Sequence, residues 1–229
     1  MTTITGRSNI KATIILDSFY QPNNARLTTF ELEYPRFILA EFNTHRMLSR
    51  NTASSRAIPV DKMHELIRQH PAEPVYWGKN KPGMSAQEEI DTQTKGYARH
   101  TWLEAAESSI RYSMLLKDMG VHKQITNRVT EPFQMVKTVV TATEWANFFW
   151  LRDHKDAQPE FRELANIMYQ LYKSNQPQPL KLGEWHLPYV QTRKAANHSQ
   201  MFIDEQTGLE LKLADAIQVS ASCCAQVSY

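Results

Sequence analysis

Glycine is scarce in this chain, with seven in 229 residues, scattered at positions 6, 78, 83, 96, 120, 183 and 208. Loops that cradle phosphate on backbone N–H groups need glycines in tight clusters. No G-x-G occurs, which excludes the dinucleotide fingerprint of a doubly wound fold. The nearest approach to a P-loop, Gly78-Lys79-Asn80-Lys81-Pro82-Gly83-Met84-Ser85, has methionine where the phosphate-gripping lysine must stand, and it reads as a turn. Any nucleotide must therefore be held by side chains. Cysteine is scarcer still: Cys223 and Cys224 are neighbours and cannot form a cross-chain disulfide framework, so both are expected reduced. No run approaches the roughly 20 apolar residues of a membrane span. Lys11, Thr13, Asp17 and Ser18 interrupt the stretch that a secretory signal would need. An intracellular, soluble chain with no membrane partner is expected. Charge excess is missing as well, since 26 basic against 24 acidic side chains leave +2; this points neither to nucleic acid as a partner nor to a solvating tail.

Metal and hydrolase motifs are absent too. His64-Glu65 begins like a zincin helix but has Arg68 where the second histidine is required, and no G-x-S-x-G elbow occurs. No metal ligand set is expected.

What is present is a 41% hydrophobic, 22% charged composition, ordinary for a globular chain of one domain over residues 1–229. Residues 12–16 and 27–34 read as strands, the second with Phe30, Leu32 and Tyr34 alternating with Thr29, Glu31 and Glu33. Residues 36–47 suggest a helix that runs into a polar segment, 49–56, closed by Pro59. A Pro/Gly-rich loop over 71–85 leads to a long helix over 86–118, opened by a Ser85/Glu88 capping box and stopped near Gly120. Its buried side is expected to carry Trp102, Ala106, Ile110, Ser113 and Met114. Residues 136–141 are β-branched, and Thr141 to Glu144 offers a capping box for a helix through Asn147 to Arg152. Phe161, Leu164, Ala165, Met168, Leu171 and Tyr172 keep a helical period and form a core stripe. A last helix is expected near 209–219. The fold class is α+β, with a small mixed or antiparallel sheet and several long helices.

Chemistry concentrates in Thr44-His45-Arg46-Met47-Leu48-Ser49-Arg50-Asn51-Thr52-Ala53-Ser54-Ser55-Arg56. Three arginines, a histidine, three serines and an asparagine make a dense set of donors for phosphate, carbonyl and ring-nitrogen acceptors. A solvated basic loop would have the same composition. Lys123, Asn127 and Arg128 form a second polar cluster, and Asn147 with Arg152 a third, each beside an apolar element.

The strip resembles the signature of flavin-dependent thymidylate synthases, with His45, Arg46, Ser49, Asn51, Ser54 and Arg56 in register. Thr143-Glu144-Trp145 through Asn147 to Arg152 and on to Ala157-Gln158-Pro159-Glu160 is similar to a later helix of that family. Asn127-Arg128 with Pro132 resembles its phosphate-binding arginine region. The likeness spans about residues 27–172 and looks closest to bacteriophage-encoded members, which would act in the host cytoplasm. It implies an α+β homotetramer with active sites between subunits. It also implies reductive methylation of dUMP at C5, with 5,10-methylenetetrahydrofolate as carbon donor, FAD as hydride carrier and NADPH as reductant. Carried over by position, His45, Arg46, Asn51 and Asn147 would contact the flavin; Ser54, Ser55, Arg56, Arg128 and Arg152 would hold the nucleotide, with Ser54 and Arg152 also catalytic. A flavin- and folate-dependent hydroxymethylase of dUMP or dCMP, or a non-catalytic nucleotide-binding homologue, are the alternatives.

The sequence departs from that pattern at Thr44, Thr52 and Ala57, where Arg, Glu and Tyr are usual, and at Thr141 and Thr143 in the helix block. Its end, Cys224-Ala225-Gln226-Val227-Ser228-Tyr229, resembles a segment that other members carry near the N-terminus, so a permuted order is expected. In the family that segment leads to a flavin-supporting histidine, and the expectation here is a chain that continues past Tyr229 or relies on other groups.

Overall fold

The computed structural model describes residues 1–83, 86, 88–195, 199–204 and 207–227. Its strands are β1 Thr2–Thr5, β2 Lys11–Tyr20, β3 Ala25–Pro35, β4 Ser49–Thr52, β5 Met135–Ala142, β6 Gln178–Pro179, β7 Gln191–Lys194, β8 Gln200–Ile203 and β9 Glu210–Leu211. Its α-helices are α1 Leu39–Phe42, α2 Val60–Gln69, α3 Thr92–Asp118, α4 Lys123–Thr126, α5 Ala146–Arg152, α6 Pro159–Ser174 and α7 Leu213–Ala225. The main sheet runs β1-β2-β3-β5-β4, antiparallel throughout, and β6 pairs in parallel with β2. β7-β8-β9 form a second, smaller sheet. This is the α+β architecture expected.

The period-two pattern of β3 decides which face of the main sheet is apolar. Phe30, Leu32 and Tyr34 are fully buried, opposite Val140, Thr138 and Val136 of β5. Onto this face α6 lays Phe161, Leu164, Ala165, Met168 and Leu171, all buried as their 3.6-residue spacing requires. Phe42, Trp145, Phe148 and Phe161 complete an aromatic cluster with ring separations of 5.2 to 6.2 Å and mostly edge-on geometry. Each such ring, removed from water, contributes about 2 to 3 kcal/mol.

The other face of the sheet is polar and is covered from beyond residue 180. His186 bonds Ser18 (2.8 Å) and Thr29 (2.9 Å), the Tyr189 hydroxyl donates to Glu31 (2.9 Å), and Asn51 of β4 donates to the last carbonyls of α7. Met63, Ile67, Ala106, Ile110 and Phe133 form a second apolar cluster between α2 and α3, and Leu187, Val190, Phe202 and Ala216 a third between α7 and the small sheet.

Four expected elements differ in extent. The helix over 36–47 is a 3-10 turn, Arg36–Ile38, and a single α turn, because the chain is drawn away after Asn43. The long helix begins at Thr92, where Asp91 accepts from the amides of Gln93 and Thr94. Glu88 pairs instead with Lys79, and Ser85 lies outside the described residues. Met114 on this helix is exposed. Thr141 does not cap α5: it sits in β5 and its hydroxyl bonds Thr29 at 2.7 Å. The last helix runs later than expected, over Leu213–Ala225. Among the described residues no helix is long and apolar enough to cross a membrane.

Candidate active site

The donor-rich strip is shaped by one of its own arginines. Arg50 donates from Nε to Asn43 Oδ1 (2.8 Å), from Nη1 to the carbonyls of His45 (2.8 Å) and Leu48 (3.0 Å), and from Nη2 to the carbonyl of Asn43 (2.7 Å). Its fork is therefore occupied in bending residues 43–48 back toward β4. Thr44 donates to the carbonyl of Glu41 at 2.7 Å. β4 then pairs with β5 in the register Ser49↔Thr141 to Thr52↔Thr138. Alternation puts Thr52 toward the core, where it and the buried Tyr34 hydroxyl share Thr138 Oγ1 at 3.0 and 2.8 Å. Burial pushes the Tyr34 phenol up to about 12. Asn51 faces the other side, its amide donating to the carbonyls of Cys224 (3.0 Å) and Ala225 (2.8 Å). It thus satisfies two of the orphan acceptors at the C-terminus of α7.

Two expected site residues, far apart in sequence, meet directly. Arg152, in the last turn of α5, donates from Nε to His45 Nε2 at 2.8 Å and from Nη1 to Glu41 Oε1. Its guanidinium lies over the Phe161 ring, with 4.6 Å from Cζ to the centroid. His45 also packs edge-on against Phe148 and Phe161. Burial, then the positive charges of Arg152 and Arg50, lower the His45 imidazole to about 4. It is neutral at physiological pH and accepts through Nε2.

A second group of site residues is joined through Asn127. This fully buried side chain donates to the carbonyls of Ser55 (2.7 Å) and Ile58 (3.0 Å), and Lys123 donates to Ala57 at 2.9 Å. Ser55 is buried and donates to Glu131 at 3.4 Å; Glu131 lies 3.6 Å from Arg36. Ser54 Oγ accepts from the Arg56 amide at 3.4 Å. Arg56 and Arg128 thus stand on two segments stitched together by a buried amide. Among the described residues, no hydrogen bond or ion pair engages the guanidinium groups of Arg56, Arg128 and Arg46, all exposed, and Asn147 is likewise exposed. Two surface depressions, one beside Ser18 and Trp185 and one along Arg68 and Arg99, share no residue with this cluster.

Sequence reasoning passed over Glu41. It is the only carboxylate between Glu33 and Asp61, a stretch that contains arginines 36, 46, 50 and 56. A lone acid among four guanidinium groups is a signal that one of them is to be held.

A family model described as thymidylate synthase complementing protein (Thy1) matches residues 14–178. The chain belongs to this family. The match runs from Ile14, within β2, to the first residue of β6, and takes in every residue of both groups above. The Thy1 family is that of the flavin-dependent thymidylate synthases, so the resemblance read from the strip holds. Among solved structures, the chain is similar to a UMP/dUMP methylase, PolB from Streptomyces cacaoi, in a crystal structure bound with 5-Br UMP. The two are 18% identical with a TM-score of 0.57, over 73% of this chain and 90% of that one. The fold of this Thy1 member is therefore shared with a nucleotide methylase. No curated protein matches the chain. His186, Tyr189 and α7, which supply the polar-face cover, lie beyond the family match, as do β7, β8 and β9.

Proposed function

We propose that this Thy1 member methylates dUMP at C5 reductively, taking the carbon from 5,10-methylenetetrahydrofolate and reducing equivalents from NADPH by way of FAD. The observation that carries this reading, within the family, is that Arg56 and Arg128, whose guanidinium groups have no partner among the described residues, stand on segments joined through Asn127. A phosphate dianion taken between them would be oriented by bidentate donors and its charge offset. With so few glycines, no backbone cradle competes for that role.

The donor set also suits a flavin. Among the described residues, Arg46 and Asn147 are exposed with no side-chain partner, and His45 offers a ring nitrogen. Asn51, committed to α7 on the opposite face, would join them only by releasing its carbonyl partners. When bound, FAD supplies hydride transfer. The chain's own residues would bind and orient: Ser54, Arg56 and Arg128 would hold the nucleotide, Ser55, buried with its hydroxyl on Glu131, would join them only by releasing that partner, and Arg152 would reach it with Nη2, which has no partner among the described residues. Holding C5 in a reactive geometry is where a site without a nucleophile gains most of its rate. The reading extends to a single domain, a cytoplasmic setting and, for a bacteriophage-type member, the host cell. It also includes a homotetramer with sites between subunits, for which the exposed Met47 and Trp150 beside the cluster provide apolar surface to cover.

Replacing the C5 hydrogen must expel it. With dUMP carrying tritium at C5, together with methylenetetrahydrofolate, FAD and NADPH, label is expected in water, and omission of the folate should stop its release. A folded protein that releases no label under these conditions overturns the proposal.

A further inference from the structure

Glu41 has no part in the reaction proposed above, yet it is the carboxylate that holds Arg152 from outside α5. Arg152 spends Nη1 on Glu41 and Nε on His45 Nε2, at 2.8 Å, with its plane over Phe161. An N–H aimed at Nε2 requires a lone pair there, so the ring proton sits on Nδ1. Among the described residues Nδ1 has no partner, and the ring is only partly buried. Around it stand Arg152 and Phe148 from α5, Phe161 from α6, Arg50 from β4 and, through Arg152, Glu41 from α1.

We propose that Glu41 is a positioning residue: by binding Arg152 it locks His45 as the neutral Nδ1–H tautomer. The strip then presents a hydrogen-bond donor, in place of a base or a cation, to a carbonyl or ring-nitrogen acceptor of a planar heterocycle. Only the identity of that heterocycle rests on the methylase reading. A histidine side chain free in water prefers the Nε2–H form, so the protein must hold the other one. Arg152 does so only while its own position is fixed. The lowered basicity of His45 keeps the ring neutral well below physiological pH.

The test is nitrogen NMR of the full chain labelled at histidine, without any substrate, with His45 assigned by loss of its signals in His45→Gln. At neutral pH, wild-type His45 is expected to be protonated at Nδ1. In Glu41→Ala, Arg152 is released, and His45 shifts toward Nε2–H while its titration midpoint rises from about 4 toward 6.5. In Glu41→Gln, whose side-chain oxygen still accepts from Nη1, the wild-type tautomer is retained. A purely structural role for Glu41 would move melting temperature and leave the tautomer alone. Nε2–H in the wild type overturns the proposal, and so does an unchanged tautomer in a folded Glu41→Ala. If Glu41→Ala does not fold, Glu41→Asp, with the carboxylate drawn back by one methylene, is read in the same way. Because the readout needs no substrate, its failure leaves the methylase reading standing, and failure of the methylase reading leaves the tautomer standing.

Discussion

Arg152 and Arg56 are the same residue type in one candidate site, and the fold treats them in opposite ways. Arg152 is drawn under an aromatic ring, paired with Glu41 and bonded to His45. Arg56 stands exposed, and among the described residues only its backbone is engaged. A guanidinium whose charge is offset and whose fork is mostly filled holds other groups in place. An uncommitted one recruits anions. The comparison divides the site into a rigid half around His45 and an open, cationic half around Arg56 and Arg128. The proposed reaction, which must orient one ring and capture one phosphate, would draw on both.

The sharpest way to break the division is Arg152→Ala. It leaves Glu41 unpaired, removes the donor to His45 and bares Phe161. Activity should fall at least about 100-fold, and stability by ~2 kcal/mol, below the range for a fully buried pair because Glu41 is partly exposed. An active variant with wild-type melting would erase the distinction. Arg56→Ala should act on binding alone, weakening dUMP by ~1.5 to 3 kcal/mol with the melting temperature unchanged. Calorimetric titration showing wild-type affinity would remove Arg56 from the site.

Acid should sharpen the contrast. His45 and His186 are both lowered from 6.5 to about 4, chiefly by burial. Their folded values lie below the unfolded one, so the unfolded chain takes up protons first as pH falls. The stability they contribute is complete above about 6.5 and is lost between there and about 4. Together they are expected to cost on the order of 2 kcal/mol after allowance for partial exposure, read as a falling denaturation midpoint between neutral pH and pH 4; a flat profile would contradict it. Smaller still, Asn51→Ala should cost ~1 kcal/mol, seen as faster hydrogen exchange at the end of α7. Unaltered exchange there would mean the contact is idle. Exchanging both Cys223 and Cys224 for serine should leave activity intact.

The legible parts of the chain were those where local pattern and tertiary role coincide. The α6 stripe and the alternation of β3 are written in the period of their apolar residues, because packing and periodicity demand the same positions. Family membership was legible in the register of His45, Arg46, Asn51, Ser54 and Arg56. The span after Pro35 was not. Helical propensity there yields to Arg50, whose bonds to Asn43, His45 and Leu48 depend on a turn that exists only once they form. β4, polar and short, is a strand because β5 offers it an edge. The meeting of Arg152 with His45 joins residues 107 apart, and no local spacing encodes it. Of the cover on the polar face, the last helix and the segment from Cys224 were legible, whereas the bonds of His186 and Tyr189 to the sheet are encoded by no local spacing.

The most direct test of the whole account is the mass of the nucleotide after the protein has acted on dUMP with methylenetetrahydrofolate, FAD and NADPH. A gain of CH2, the difference between dUMP and dTMP, is predicted. A gain of CH2O would replace methylation with hydroxymethylation, and an unchanged nucleotide with folded, flavin-supplemented protein would contradict the account.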